Sequence, residues 1–112
     1  MAPDITHHLA GGVYAKETRI PAGTVLVQHR HTYEHLSVLA SGSVEVDVDG
    51  ERTRHDGPAC ITIAAGKHHG VKALTDAVWF CIHASDVADD DALIAPGSST
   101  AEMQAIAERL AA

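Results

Sequence analysis

The sequence predicts an all-β domain, a sandwich or barrel, followed by one C-terminal helix. Three observations predict it. About eight short strand-like runs recur at regular spacing, separated by turns rich in Gly, Pro, Asp and Ser. One run, Val44-Glu-Val-Asp-Val48, alternates strictly and leads straight into Asp49-Gly50, the dipeptide of two-residue hairpins. Near the end the apolar period changes: Met103, Ile106 and Leu110 fall at i, i+3 and i+7, one stripe of a helix.

Each element follows from local chemistry. Residues 1–11 read as a loop or edge lead-in, ended by Gly11-Gly12. A strand is expected over 13–20, then a turn at Pro21-Ala22-Gly23, where proline fixes φ and glycine relieves it. Further strands are expected over 24–30, 35–40, 44–48, 51–54, 59–63, 68–74 and 77–84. Ser41-Gly-Ser43, Asp49-Gly50, Asp56-Gly-Pro58, Ala65-Gly-Lys67 and Thr75-Asp76 supply the turns. Residues 86–97 form an acidic linker. Ser99 and Glu102 have the spacing of a capping box, opening a helix over 98–112. The barrel thus occupies 1–85, and the helical stripe is expected to pack on it or on a second subunit.

Charge narrows the function classes. The chain of 112 residues carries a net charge of -7 with histidine neutral. About two-thirds of that sits beyond residue 85, where six acids face one base. No basic stripe exists, so a nucleic-acid partner is not expected. No apolar run is long enough to span a bilayer, and Met-Ala-Pro-Asp does not start a secretory signal, so a cytoplasmic protein is expected. Cys60 and Cys81 lie in apolar runs and read as reduced core thiols. A disulfide or a thiolate ligand is the alternative, and a cytosolic compartment disfavours the disulfide.

Nine histidines are the anomaly. His7, His8 and His55 fall in loop or edge positions and read as exposed. His29, His31 and His35 differ, because residues two apart in a strand share a face. Parity groups these three with Val25 and Val27, and turns Leu26, Gln28 and Arg30 away. Three imidazoles on one face suit a metal ion such as Zn, Cu, Fe or Ni.

The spacing Gly23, five residues, His29-x-His31, three residues, His35, six residues, Gly42 resembles the first motif of the cupin family. Gly57-Pro58 leading to Ala64-x-Gly66-x-x-His69 resembles the second, with one residue more after the first glycine. The likeness runs over residues 12–84. It implies a small jelly-roll barrel, a double-stranded β-helix, with one divalent transition metal inside (Mn, Fe, Ni, Cu or Zn). The implied ligands are His29, His31, His35 and His69.

Two positions depart from the family pattern. Ala64 stands where proline is usual, which affects only a turn. His35 stands where glutamate is usual. Glu34 is the alternative ligand, but strand parity points it away, and only a bulge would turn it in. Four neutral imidazoles leave the ion its full +2, whereas three with a carboxylate leave +1.

The resemblance also orders the surroundings. His68 is expected to face away from His69, at the rim or surface. His83 reads as a strand-end histidine or as a base lining the cavity. Val25, Val27, Leu39, Ile61, Ile63 and Val71 are the expected walls; the phase of Trp79 and Cys81 is open. Acid–base candidates are Tyr33, Glu34, His83 and Tyr14. The implied function is a metalloenzyme for a small oxygenated organic substrate, of isomerase, lyase or dioxygenase type. A non-catalytic metal or small-molecule binding module is the alternative, since four histidines can close a tetrahedral site. A homodimer is expected, formed through the apolar last strand and the helical stripe.

Overall fold

Among the described residues, nine strands and one helix make two antiparallel sheets with a helix on the outside of one. The computed structural model describes residues 3–28, 34–84 and 100–111. The strands are β1 (Asp4–Ala10), β2 (Val13–Ile20), β3 (Val25–Gln28), β4 (His35–Ser41), β5 (Ser43–Val48), β6 (Glu51–Asp56), β7 (Ala59–Ile63), β8 (His69–Ala73) and β9 (Ala77–His83), followed by α1 (Thr100–Ala111). One sheet runs β1-β2-β9-β4-β7 and the other β3-β8-β5-β6. The expected linker and the Ser99–Glu102 capping box lie outside what is described.

Turn chemistry acts where the sequence places it. Val48 pairs with Glu51, so the β5–β6 loop is the two residues Asp49 and Gly50. Both have positive φ, 46° and 96°, as a type I′ turn requires. Gly42, between β4 and β5, has φ 88°. A Cβ there would collide with the Asp76 carbonyl oxygen and Ala77, so only glycine fits.

Residues 4–10 correct one expectation. They form a true strand, paired with β2 from Asp4↔Arg19 to Ala10↔Val13. Every residue of β1 is exposed. A strand wet on both faces carries no alternation of burial, which is why its period was not visible.

The core lies between the sheets. Ile20, Leu39, Val44, Val46, Val71, Ala73, Ala77, Trp79 and Cys81 form one buried cluster. Directly paired residues share a face of a sheet. Leu39 pairs with Trp79 and Ser37 with Cys81, which fixes the phase of β9: Trp79 and Cys81 point inward. Cys60 does not. It pairs with Val38, on the outward side of β7, and is exposed. The expectation of two core thiols therefore holds for Cys81 and is corrected for Cys60, because β7 is an edge strand with a wet outer face.

The second sheet corrects the phase of β3. Leu26 pairs with Val71 and packs against the core, while Val27 pairs with Gly70. Gly70 faces α1, since a Cβ there would lie 2.5 Å from Ile106 Cγ2 and 2.7 Å from Leu110 Cδ1. Val25 and Val27 thus sit on the helix side, not on the cavity side. The parity that groups His29 and His31 with them starts from the wrong face; those two histidines lie outside the described residues.

α1 fulfils the stripe reading. Ile106 and Leu110 are buried, and α1 packs on β3, β8 and β5. Its last turn is tied down by Arg109, whose Nε and Nη2 donate to Asp47 at 2.8 Å and 3.0 Å.

Candidate metal centre

Three strands of the barrel bring their inward side chains together at one end. His35 opens β4, His69 opens β8, and Cys81 and His83 lie near the end of β9. His69 shares the inward phase of Val71, two residues on, and pairs with Val48, which packs on the core. His35 shares the phase of Ser37 and Leu39. All four side chains are buried: His35 keeps 6% of its surface, and His69, Cys81 and His83 no more than 1%.

The groups are close. One nitrogen each of His35 and His69 and the sulfur of Cys81 all lie within 4.8 Å of one another. The His35 ring centroid is 5.6 Å from that of His69 and 4.9 Å from that of His83. Behind His83 stands Tyr14, its paired residue on β2, with ring centroids 5.8 Å apart and nearly parallel. The fully buried Tyr14 hydroxyl meets Nδ1 of His7 at 2.7 Å, so a line of aromatic rings runs from the edge strand to His35. The Ser37 hydroxyl lies 3.8 Å from the Cys81 sulfur.

These donors fit a transition metal. Ligands at about 2.0–2.3 Å from a tetrahedral ion are separated from one another by about 3.3–3.8 Å. The three donor atoms lie within 4.8 Å of one another, so at most about an ångström of side-chain movement closes them on an ion. Imidazole nitrogen and thiol sulfur are the donors that zinc, copper and iron take.

The sequence-expected residues divide three ways. His35 and His69 meet in the cavity. His29, His31 and Tyr33 lie outside the described residues. Glu34 is exposed and turned away from the buried His35. His83 is buried and packs against the His35 ring. Of the expected walls, Leu39, Ile63 and Val71 are buried and Ile61 packs on the core, whereas Val25 and Val27 sit on the helix side of their sheet.

His68 is also corrected. It was expected at the rim or surface, yet it is 1% exposed. Its amide N–H donates to Asp49 Oδ1 at 3.2 Å. The side of β8 turned from the cavity is the side α1 packs on, so facing away from His69 does not mean facing water. His7 and His8 are exposed as expected, and His55 is half-buried, with its Nε2 2.9 Å from the Thr53 hydroxyl.

Cys81 is the residue whose part in the cluster sequence reasoning left open. The available signal was its parity with Trp79 and His83 on β9. A short, wholly apolar run has no wet face to fix that parity, so the signal could not be read.

Comparison with known proteins agrees with this architecture. The family model described as "Cupin domain" matches residues 16–83. The chain is a cupin. The match runs from within β2 to the end of β9. Among solved structures, this cupin resembles a cupin 2 domain-containing protein from Halorhodospira halophila, with TM-score 0.71 and 18% identity over 96% of this chain and 81% of that one. It resembles KdgF from a Halomonas species, with TM-score 0.64 and 20% identity over 81% and 82%. It also resembles the salicylate 1,2-dioxygenase of Pseudoaminobacter salicylatoxidans, solved in complex with gentisate, with TM-score 0.67 and 15% identity over 80% of this chain and 26% of that one. At these identities the likeness is one of fold. No curated protein sequence matches the chain.

Proposed function

We propose that this cupin binds one divalent transition metal ion inside its barrel and acts on a small oxygenated organic substrate. The observation that carries the reading is the convergence of the buried His35, His69 and Cys81 side chains in the barrel interior. A metal bound there supplies Lewis acidity toward a carbonyl or enolate oxygen. Isomerase, lyase and dioxygenase chemistry all use that property. The fold likeness to a salicylate 1,2-dioxygenase supports the same class.

The chain's own residues divide the remaining work. His35 and His69 hold the ion, with His29 and His31 of the first motif completing the set. Leu39, Ile63 and Val71 exclude water, which strengthens every electrostatic contact in the cavity. His83 stands against His35 and away from solvent, where it orients that ring and holds a proton near the cavity. A non-catalytic binding module is the second reading. It is favoured by the number of donors: imidazoles and a sulfur together can fill every coordination position.

A cytoplasmic location suits either reading, because a reducing compartment keeps Cys60 and Cys81 as thiols. We also propose a homodimer formed through the outer face of the five-stranded sheet. The outward positions of β4 and β9 are Leu36, Val38, Ala40, Val78, Phe80 and Ile82, none of them charged. On a chain of net charge -7, that is where a second copy can approach without repulsion.

Elemental analysis tests the metal reading. The purified protein should contain one transition metal ion per chain, and His35→Ala and His69→Ala should each lose most of it. Equal metal content in folded wild type and folded variants would sink the proposal. Turnover of small carbonyl acids and dihydroxyaromatic acids, followed with and without oxygen, separates enzyme from binding module.

A further inference from the structure

We infer that Cys81 gives a thiolate ligand to the metal of this site, so that sulfur takes the place the family gives to a carboxylate. The inference rests on the metal-binding reading above and goes beyond it by naming a donor outside both sequence motifs.

Four observations converge. The sulfur lies within 4.8 Å of the ring nitrogens of both His35 and His69. It is 1% exposed, and the β9 register turns it into the barrel rather than onto the outer face. Ser37, its partner across β4, places a hydroxyl 3.8 Å away, where it can donate to a thiolate. Lys16 stands opposite Cys81 on β2, so the residue paired with the sulfur across the strands is a basic one.

Charge gives the arrangement its logic. His35 replaces an anionic glutamate and leaves an all-imidazole site at +2. A coordinated thiol is deprotonated outright, its proton passing to solvent. The S–H bond breaks, a metal–sulfur bond forms, and no electrons change hands. The site returns to +1, with the negative charge moved from β4 to β9. A soft sulfur donor also shifts preference toward zinc, copper or iron and away from manganese.

The test uses the full chain carrying Cys60→Ser, in which Cys81 is the sole thiol. It is loaded with Co(II) alone. The expected result is one cobalt per chain with an intense sulfur-to-cobalt charge-transfer band in the near ultraviolet. Adding Cys81→Ser should abolish that band and weaken cobalt binding by at least about tenfold. Cobalt bound with ligand-field bands but no charge-transfer band overturns the role of Cys81 and leaves the metal site standing. No cobalt bound at all overturns both. If the Cys81→Ser chain does not fold, X-ray absorption on the zinc-loaded Cys60→Ser protein decides. A sulfur scatterer at about 2.3 Å supports the ligand, and a first shell of nitrogen and oxygen alone at about 2.0–2.1 Å overturns it.

Discussion

Arg109, in the last turn of α1, grips both carboxylate oxygens of Asp47, a residue of β5 with no exposed side-chain surface. Burial alone would raise the Asp47 pKa. The Arg109 hydrogen bonds, the Gly50 N–H and the charges of Arg109 and Arg52 outweigh it and hold the carboxyl below its ordinary 3.8. The two-pronged geometry makes this a strong pair, and Arg109 in the last turn also complements the negative end of the helix.

The pair should respond unequally to its two halves. Arg109→Met leaves a buried carboxylate without its counter-ion, whereas Asp47→Asn keeps an oxygen for the Gly50 N–H and for Arg109. Thermal melts at neutral pH should therefore place Arg109→Met several degrees below Asp47→Asn. The double variant should lie above Arg109→Met. The pH dependence has a fixed sign. A lowered folded pKa contributes stability in full above the unfolded value of 3.8, and that contribution is lost as pH falls through the folded value. Wild type should lose stability below about pH 5 more steeply than Asp47→Asn. Parallel curves would show that the pair does not contribute.

Gly70 should tolerate no side chain while α1 is docked. A Cβ there meets Ile106 Cγ2 at 2.5 Å, Leu110 Cδ1 at 2.7 Å and the Leu26 carbonyl oxygen at 3.3 Å. Overpacking of this kind costs about 1–3 kcal/mol. Gly70→Ala should lower the urea midpoint, and Ile106→Ala, which removes the Cγ2 methyl that the new Cβ meets, should cost less in that background than in wild type.

Tyr14 offers a contrast between hydroxyl and ring. Tyr14→Phe removes the bond to His7, which is exposed and can turn to water, so the cost should stay near about 1 kcal/mol. Tyr14→Ala removes a wholly buried ring stacked on His83 and should cost about 3–5 kcal/mol by chemical denaturation.

The proposed dimer face makes a further prediction. Leu36 is 47% exposed and Val13 44% exposed on the outward side of the five-stranded sheet. Light scattering at micromolar concentration should give twice the chain mass for wild type and the single mass for Leu36→Glu. A monomeric wild type rules out the dimer.

Much of this architecture was legible because its signals are local. Val44–Val48 alternates, Asp49-Gly50 turns, and Met103, Ile106 and Leu110 mark the buried side of α1. What failed needed information from distant strands. The phase of β3 is set by which of its faces meets α1, some eighty residues on, and Val25 and Val27 alternate equally well either way. The phase of β9 is set by Ser37 and Leu39 on β4, so Cys81 and Cys60 looked alike in sequence and part company in the fold. His68 was misjudged for a related reason: a covering helix makes the outside of a sheet an interior. His35 and His69 were singled out because motif spacing is local even though their meeting is not.

His69 and Gly70 are consecutive, yet they serve opposite faces of β8. One points its ring toward the candidate metal donors, and the other forms the seat for Ile106 and Leu110. One peptide unit is therefore held from both sides. Anything that fixes the His69 ring also narrows the positions open to that seat, and a docked helix narrows those open to the ring. Any coupling free energy between the two events is reciprocal by thermodynamic necessity. Amide exchange along the final helix, far from any ligand atom, becomes a gauge of how firmly the cavity is filled.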